Sequence, residues 1–350
     1  MSASERLVAA GEELPVISEP AAMFHDLASK VPKLENFLKK MSHRPLRVAT
    51  MCSGTESPLL ALDKIADATE KLFGSRLNVE HVFSCEIEPF KQAYIERNFS
   101  PPILFRDIRE LKEKQAYTAY GALVDVPGNV DILVAGTSCV DYSNLNNEQK
   151  GLNEQGESGQ TFRGMKAWIM RCKPPVVILE NVCGAPWQQI VDDFASFGYT
   201  ADFLRLDTKR YYIPHTRTRV YLLAVLGDDD EGVLAQWKEV VKQLERPSSS
   251  TLEAFLFDTD DPRVNKGRQD LALPGEKNTR AETDWGRCQS RHIRARVEEK
   301  LGQQRPFTHW DGGCQLPDYA WNDWGKAQTD RVLDLMDIDY LRLARDGVDA

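Results

Sequence analysis

The segment Leu46-Arg47-Val48-Ala49-Thr50-Met51-Cys52-Ser53-Gly54-Thr55-Glu56-Ser57-Pro58 decides how this chain folds. Leu46 to Met51 is a mostly apolar run of strand length, followed by a turn of small and polar residues. Pro58 then suits the first turn of a helix, where its missing N–H leaves no bond unmade. A strand, a tight turn and a helix predicted over Ser57 to Phe73 make one βα unit. Working outward, the pattern recurs: strand Val79 to Cys85, helix Pro89 to Asn98, and short strand Ile103 to Phe105. Val130 to Ala135 and Val176 to Leu179 are apolar without alternation, as strands of a parallel sheet covered on both faces are. Thr161 to Cys172 reads as the helix between them, and Ile190 to Phe197, Thr200 to Leu206 and Val220 to Leu226 complete the unit. Strands alternating with helices define an α/β fold with a doubly wound sheet.

The 350 residues are 42% hydrophobic, enough for one large domain and a smaller region. A net charge of −9 gives no global field to attract a polyanion, so nucleic-acid contact requires a local basic surface. The 7 cysteines (Cys52, Cys85, Cys139, Cys172, Cys183, Cys288 and Cys314) form no C-x-x-C pair, which indicates neither a metal site nor a disulfide framework. No apolar run reaches the roughly 18 residues that span a bilayer. The expectation is a soluble intracellular protein with no metal and no membrane partner.

Residues 1–44 read as a loose leader followed by a single capping helix, Ala21 to Met41, with Phe24, Leu27, Val31, Leu34, Phe37 and Leu38 at helical spacing. Residues 45–226 hold the βα alternation. It breaks at Gly227-Asp228-Asp229-Asp230-Glu231-Gly232, leaving 227–350 as a smaller region. That region contains a helix at Val233 to Leu244, a linker at Arg246-Pro247-Ser248-Ser249-Ser250 and a closing helix at Ala327 to Arg345. Between them stand Trp285, Trp310, Trp321 and Trp324 and a basic segment, Arg287, Arg291, Arg294, Arg296 and Lys300.

Open parallel sheets hold ligands at the carboxyl ends of their strands. Cys139 follows one such end in Thr137-Ser138-Cys139-Val140-Asp141-Tyr142-Ser143, and Glu180-Asn181-Val182 ends the next. A thiol and a carboxyl in one crevice can act as nucleophile and proton donor. His215-Thr216-Arg217-Thr218-Arg219 brings guanidinium forks to a neighbouring strand. Glu86, with Ile87, ends the second strand, where an acid commonly accepts from ribose hydroxyls, and Asp107, with Ile108, follows the third. Acids at successive strand ends, behind a small-residue turn, point to a nucleoside cofactor.

In this order the motifs resemble the C5-cytosine DNA methyltransferase family over roughly residues 45–226. Cys-Ser-Gly-Thr-Glu-Ser-Pro and Thr-Ser-Cys-Val-Asp-Tyr-Ser-Asn-Leu-Asn are most similar to a fungal branch of it. The resemblance implies a Rossmann-like S-adenosylmethionine-dependent methyltransferase sheet with helices on both faces, plus a partial target-recognition region in which the basic segment meets phosphate. It implies S-adenosyl-L-methionine as cofactor, held by Met51, Cys52, Ser53, Gly54, Thr55, Glu56, Ser57, Glu86, Ile87, Asp107 and Ile108. It also implies Cys139 as nucleophile and Glu180 as proton donor, with Asn181, Arg217 and Arg219 in support. The expected partner is DNA, with a cytosine flipped from the duplex, and the expected location is the nucleus.

Ser138 stands where the family usually has Pro, His215 where it has Gln, and Met51-Cys52 where an aromatic residue is usual. The family's closing Asn-containing motif is not found before Ala350, so a truncated chain or a completing partner chain is expected. Two rival readings stay open: an RNA cytosine-C5 methyltransferase, and a catalytically weak or inactive methyltransferase-like module that binds cofactor, nucleic acid or a chromatin protein.

Overall fold

The computed structural model describes residues 14–142, 150–271, 291–306 and 330–348. Ser143, the tryptophans 285, 310, 321 and 324, and Arg287 lie outside these residues, as does the side chain of Arg291. The chain divides into two compact units, Met1–Phe255 and Leu256–Ala350.

The first unit is built on a seven-stranded sheet. Its elements are α1 (Pro20–Lys30), α2 (Leu34–Met41), β1 (Leu46–Met51), α3 (Ser57–Phe73), β2 (Val79–Cys85), α4 (Pro89–Phe99) and β3 (Leu104–Phe105). A small hairpin, β4 (Gln115–Tyr117) and β5 (Leu123–Asp125), comes next. Then follow β6 (Ile132–Ala135), α5 (Glu157–Cys172), β7 (Val176–Asn181), α6 (Trp187–Ser196), β8 (Tyr199–Asp207), β9 (Thr218–Leu226) and α7 (Val233–Gln243). Strand order is β3-β2-β1-β6-β7-β9-β8. The pairs among β3, β2, β1, β6 and β7 are parallel, whereas β9 runs antiparallel to both β7 and β8. This is a Rossmann-like α/β sheet.

β1 shows why its sequence lacks alternation. Successive strand residues point to opposite faces. Leu46 and Val48 pack with Leu38, Ala66 and Leu77, while Ala49 and Met51 pack with Phe83, Phe105 and Trp168 on the other side. Both faces are covered, so both sets must be apolar. Phe83 meets Phe105 and Trp168 edge-on, at centroid distances of 5.5 and 5.6 Å.

Several elements differ from the sequence expectation. The capping helix is two helices, because Pro32 forces Val31 into extended backbone (φ −76°, ψ 116°). α5 begins at Glu157 rather than Thr161, because its first turn is capped from another part of the chain, by Asp141. The β4–β5 hairpin is too short to show a period. The acidic turn after β9 lies within the first unit, where α7 packs on β8; the units part at Phe255 and Leu256 instead of 226 and 227.

The described part of the second unit comprises α8 (Pro262–Leu271), α9 (Arg291–Ile293) leading into a π-helical turn (Arg294–Glu298), and α10 (Asp330–Arg345). Of the described side chains of the basic segment, Arg296 is buried whereas Arg294 and Lys300 are exposed. Arg296 is buried on Asp334, and Arg294 pairs with Glu298 at 3.3 Å. Among the described residues no helix is long and apolar enough to cross a membrane. No group of His, Cys, Asp and Glu there is arranged to hold a metal ion.

Candidate active site

The order reversal between β1 and β6 opens a crevice at the carboxyl ends of the parallel strands. A cavity of about 660 Å³ lies there. From the β1–β2–β3 half it is lined by Cys52, Gly54, Glu86, Ile87, Asp107 and Ile108; from the β6–β7–β9 half, by Cys139, Glu180, Asn181, Arg217 and Arg219. The arginines reach this edge because β9 is antiparallel: Val220 pairs with Asn181 and Tyr221 with Glu180, so the start of β9 lies beside the end of β7.

Asn181 ties two strand ends together. Its buried amide donates to the Thr137 carbonyl at 2.9 Å and to Thr137 Oγ1 at 3.1 Å, and its oxygen accepts from the Val182 N–H at 2.7 Å. The backbone entering Cys139 is thereby fixed to β7. On the other flank, the Ser138 N–H donates to Thr161 Oγ1 at 3.2 Å. Asp141 and Ser158 exchange two buried bonds, Asp141 N–H to Ser158 Oγ at 3.0 Å and Ser158 N–H to Asp141 Oδ2 at 2.7 Å. The Cys139 turn is thus moored to β7 on one side and to the start of α5 on the other. Thr161, Ser158 and Asp141 escaped the sequence reading, since a hydroxyl that caps a loop distant in sequence carries no local signal.

Glu180 Oε1 lies 3.2 Å from Arg219 Nε. Burial raises the Glu180 carboxyl, and the guanidiniums of Arg219 and Arg217 only partly offset it, so the net position is above the ordinary carboxylate range. Three cysteines line the cavity. Burial pushes the Cys52 thiol up to about 12 and holds Cys85 well above its ordinary value, so both stay protonated and unreactive. Cys139, half-exposed, is the remaining thiol.

Glu86 is buried, and its carboxylate accepts the N–H of Gly54 at 2.7 Å, Ile87 at 3.0 Å and Glu88 at 3.1 Å. A carboxylate has about four lone-pair sites, so room for a ligand hydroxyl remains. Asp107 is gripped by Arg109 through its backbone N–H (2.9 Å) and its guanidinium, which also donates to Gln160 at 3.0 Å. Burial raises this carboxyl, but Arg109 more than compensates, leaving it below the ordinary range. Five residues of the expected cofactor loop do not line the cavity. Met51 lies in the core, because strand alternation turns it inward. The Ser53 hydroxyl donates to Thr50 Oγ1 at 2.8 Å, and Glu56 is wholly buried, accepting from Thr50 at 2.8 Å. Thr55 and Ser57 are exposed beside one another, 3.3 Å apart.

A profile of the C-5 cytosine-specific DNA methylase family matches residues 47–311, more than half of the chain, and the chain belongs to that family. Within the family it is similar to fungal proteins. It is 56% identical over 345 residues to DNA (cytosine-5-)-methyltransferase DMT5 of Cryptococcus neoformans var. grubii, a match covering 97% of this chain and 14% of that protein. With the protein of the same name from Verticillium dahliae it shares 32% identity over 369 residues, covering 86% of this chain and 15% of that one. The chain therefore spans a small fraction of the length of these relatives. Among solved structures, the Entamoeba histolytica methyltransferase EhMeth is similar over 53% of this chain and 55% of its own, at 15% identity and a TM-score of 0.40.

Proposed function

We propose that this chain is the catalytic domain of an S-adenosylmethionine-dependent DNA cytosine-C5 methyltransferase that works in the nucleus. The observation that carries the reading is a single cavity lined by Cys139, Glu180, Arg217 and Arg219 together with Cys52, Glu86 and Asp107.

The residues fit such a cofactor. Glu86 offers buried acceptor sites suited to ribose hydroxyls, and Gly54 and Ile87 flank it. A side chain at Gly136 would reach within 3.7 Å of both the Cys52 carbonyl and Glu180 Oε2, filling the gap between the two halves of the cavity. The volume lies within the range of roughly 300–1,000 Å³ usual for small-molecule sites. Bound there, the cofactor supplies an electrophilic methyl group on a sulfonium.

The protein's part is to make C5 of cytosine nucleophilic. The Cys139 thiolate adds to C6, forming a C–S bond, while the Glu180 carboxyl donates its proton to N3 and so removes the negative charge that addition creates in the ring. C5 is then an enamine carbon. After methyl transfer, a base drawn from solvent takes the C5 proton, and the electron pair left behind forms the C5–C6 double bond as the C–S bond breaks and the Cys139 thiolate departs. The carboxylate at position 180 recovers the N3 proton. Arg219 orients Glu180 and faces the O2 edge of the base, Arg217 supports the cysteine turn, and Asn181 fixes the backbone from which Cys139 projects. A duplex cytosine reaches the cavity only by leaving the stack, at a cost of a few kcal/mol.

The test is methyl transfer from labelled S-adenosylmethionine to cytosine-containing duplex DNA and to folded RNA, measured side by side. Label on C5 of DNA cytosine supports the reading. Label on RNA alone establishes the RNA reading, and cofactor binding with no transfer to either establishes the non-catalytic one.

A further inference from the structure

The link between β8 and β9, which delivers Arg217 and Arg219 to the cavity, contains a strained residue. Tyr212 has φ 65°, in the left-handed region that bulky side chains rarely adopt. Its ring is nevertheless buried, only 1% exposed. Such a conformer persists only where the surroundings over-determine it.

Here the surroundings come from outside the sheet. The Tyr212 hydroxyl donates to Asp26 of α1. The Arg246 guanidinium lies 5.3 Å from the ring centroid, and its Nε lies 3.9 Å from Asp26 Oδ2. The Tyr212 N–H donates to the Arg246 carbonyl at 2.8 Å, and the Arg246 N–H to the Arg210 carbonyl at 2.8 Å. Arg246, itself 7% exposed, also donates to the Pro15 carbonyl at 2.6 Å and to Ser249 Oγ at 3.0 Å. The link is therefore held by the segment preceding β1 and by the segment following α7 at once. Its downstream end is hydrogen-bonded as well. Thr208 donates to the His215 carbonyl and accepts the Arg217 N–H at 3.1 Å, which joins the end of the link that carries Arg217 to the end that leaves β8.

We infer that Asp26, Tyr212 and Arg246 form a clamp that sets the position of Arg217 and Arg219 against the target base. Tyr212 is then a positioning residue for methyl transfer, and the α1 segment is part of the active-site scaffold rather than a cover for the sheet. The inference rests on the methyltransferase reading above. A part-buried three-way contact of this kind holds a loop in one conformation, and a small misplacement of groups that orient a reacting carboxyl costs far more in rate than in ligand binding.

The experiment compares wild type with Tyr212→Phe, Asp26→Asn, the double variant and Tyr212→Gly in the whole chain. It reads hydrogen exchange over residues 208–219, kcat on cytosine DNA, and cofactor Kd by calorimetry. Faster exchange over 208–219 is expected in every variant, with kcat lower by roughly ten- to a hundred-fold and cofactor Kd unchanged. The double variant should be no worse than the poorer single one, because Tyr212→Phe removes the hydroxyl bond that Asp26→Asn weakens. Tyr212→Gly, which adopts the left-handed backbone freely, should not restore the rate. Wild-type exchange in Tyr212→Phe and Asp26→Asn overturns the clamp, as does wild-type kcat in Tyr212→Gly or parallel loss of kcat and cofactor affinity. Should Asp26→Asn fail to fold, Tyr212→Phe carries the test, since it keeps the buried ring. The exchange readout needs no turnover, so a wild type inactive on every nucleic acid defeats the methyltransferase reading without deciding the clamp.

Discussion

Glu180 is a carboxyl pulled in opposite directions. Burial favours its neutral form; Arg219 and Arg217 favour its charged form, and burial wins. The sign of the pH effect follows. A donor whose folded value lies above the ordinary one is fully protonated below that ordinary value, and its proton is lost as pH rises through the folded value. Turnover limited by N3 protonation should therefore decline on the alkaline side as Glu180 ionises. Glu180→Gln should lower kcat by about 10²- to 10⁴-fold, the usual worth of a positioned acid, and abolish that alkaline limb. Cofactor Kd should be unchanged; an equal loss of binding and rate would make Glu180 a structural residue. Asn181 is a different case. Both its amide groups are spent on backbone, so removing the side chain strands several buried partners. Asn181→Ala should cost about 1–3 kcal/mol in denaturant unfolding and lower kcat as well; wild-type stability would show that the β7–loop tie carries no weight.

The elements that hold the chemistry were mostly legible in the sequence. β1, β6 and β7 are largely apolar on both faces and β2 contributes Val82, Phe83 and Cys85 to the core; an apolar run bounded by turn residues is the plain signature of a buried parallel strand. The residues at their carboxyl ends, Cys139, Glu86 and Glu180, followed from that reading. What was not legible depends on contacts between distant segments. Pro32 gave a local signal for the α1–α2 break, yet the apolar spacing on either side runs straight through it. The extra turn of α5 exists because Asp141 caps it, and Met51 and Glu56, though within the turn sequence, are turned away from the cavity by strand alternation and burial. The Asp141–Ser158 junction gives an element-scale prediction. A Cβ at Gly156 would lie 2.3 Å from Asp141 Oδ2, although its φ of −90° suits any residue. Gly156→Ala should therefore destabilise by about 1–3 kcal/mol through steric conflict alone. It should also loosen the Cys139 turn, read as faster exchange over 137–142. An alanine variant with wild-type stability and exchange would show that the junction yields without consequence.

At the scale of the molecule, each compact unit carries its own constraint. In the second, Asp334 is 1% exposed and accepts from His292 Nδ1 at 2.7 Å and Arg296 Nε at 3.1 Å, with Arg305 Nη2 at 3.2 Å. Burial raises this carboxyl, but Arg296 and His292 more than offset it, so its contribution to stability is present above the ordinary carboxylate value and lost as pH falls through the lowered one. Asp334→Asn leaves buried cations uncompensated and should cost about 3–5 kcal/mol, seen as faster exchange in α10 and the Arg294–Glu298 turn; unchanged exchange there would deny the ion cluster a structural role. In the first unit, strand ends distant in the chain bring a thiol, a carboxyl and guanidiniums to one cavity. The most direct test of that convergence is covalent trapping on duplex DNA bearing 5-fluorocytosine, with S-adenosylmethionine present. The account predicts an adduct stable to denaturing electrophoresis with wild type and none with Cys139→Ala. An adduct that survives in Cys139→Ala, or none in a wild type that binds both cofactor and DNA, would contradict it.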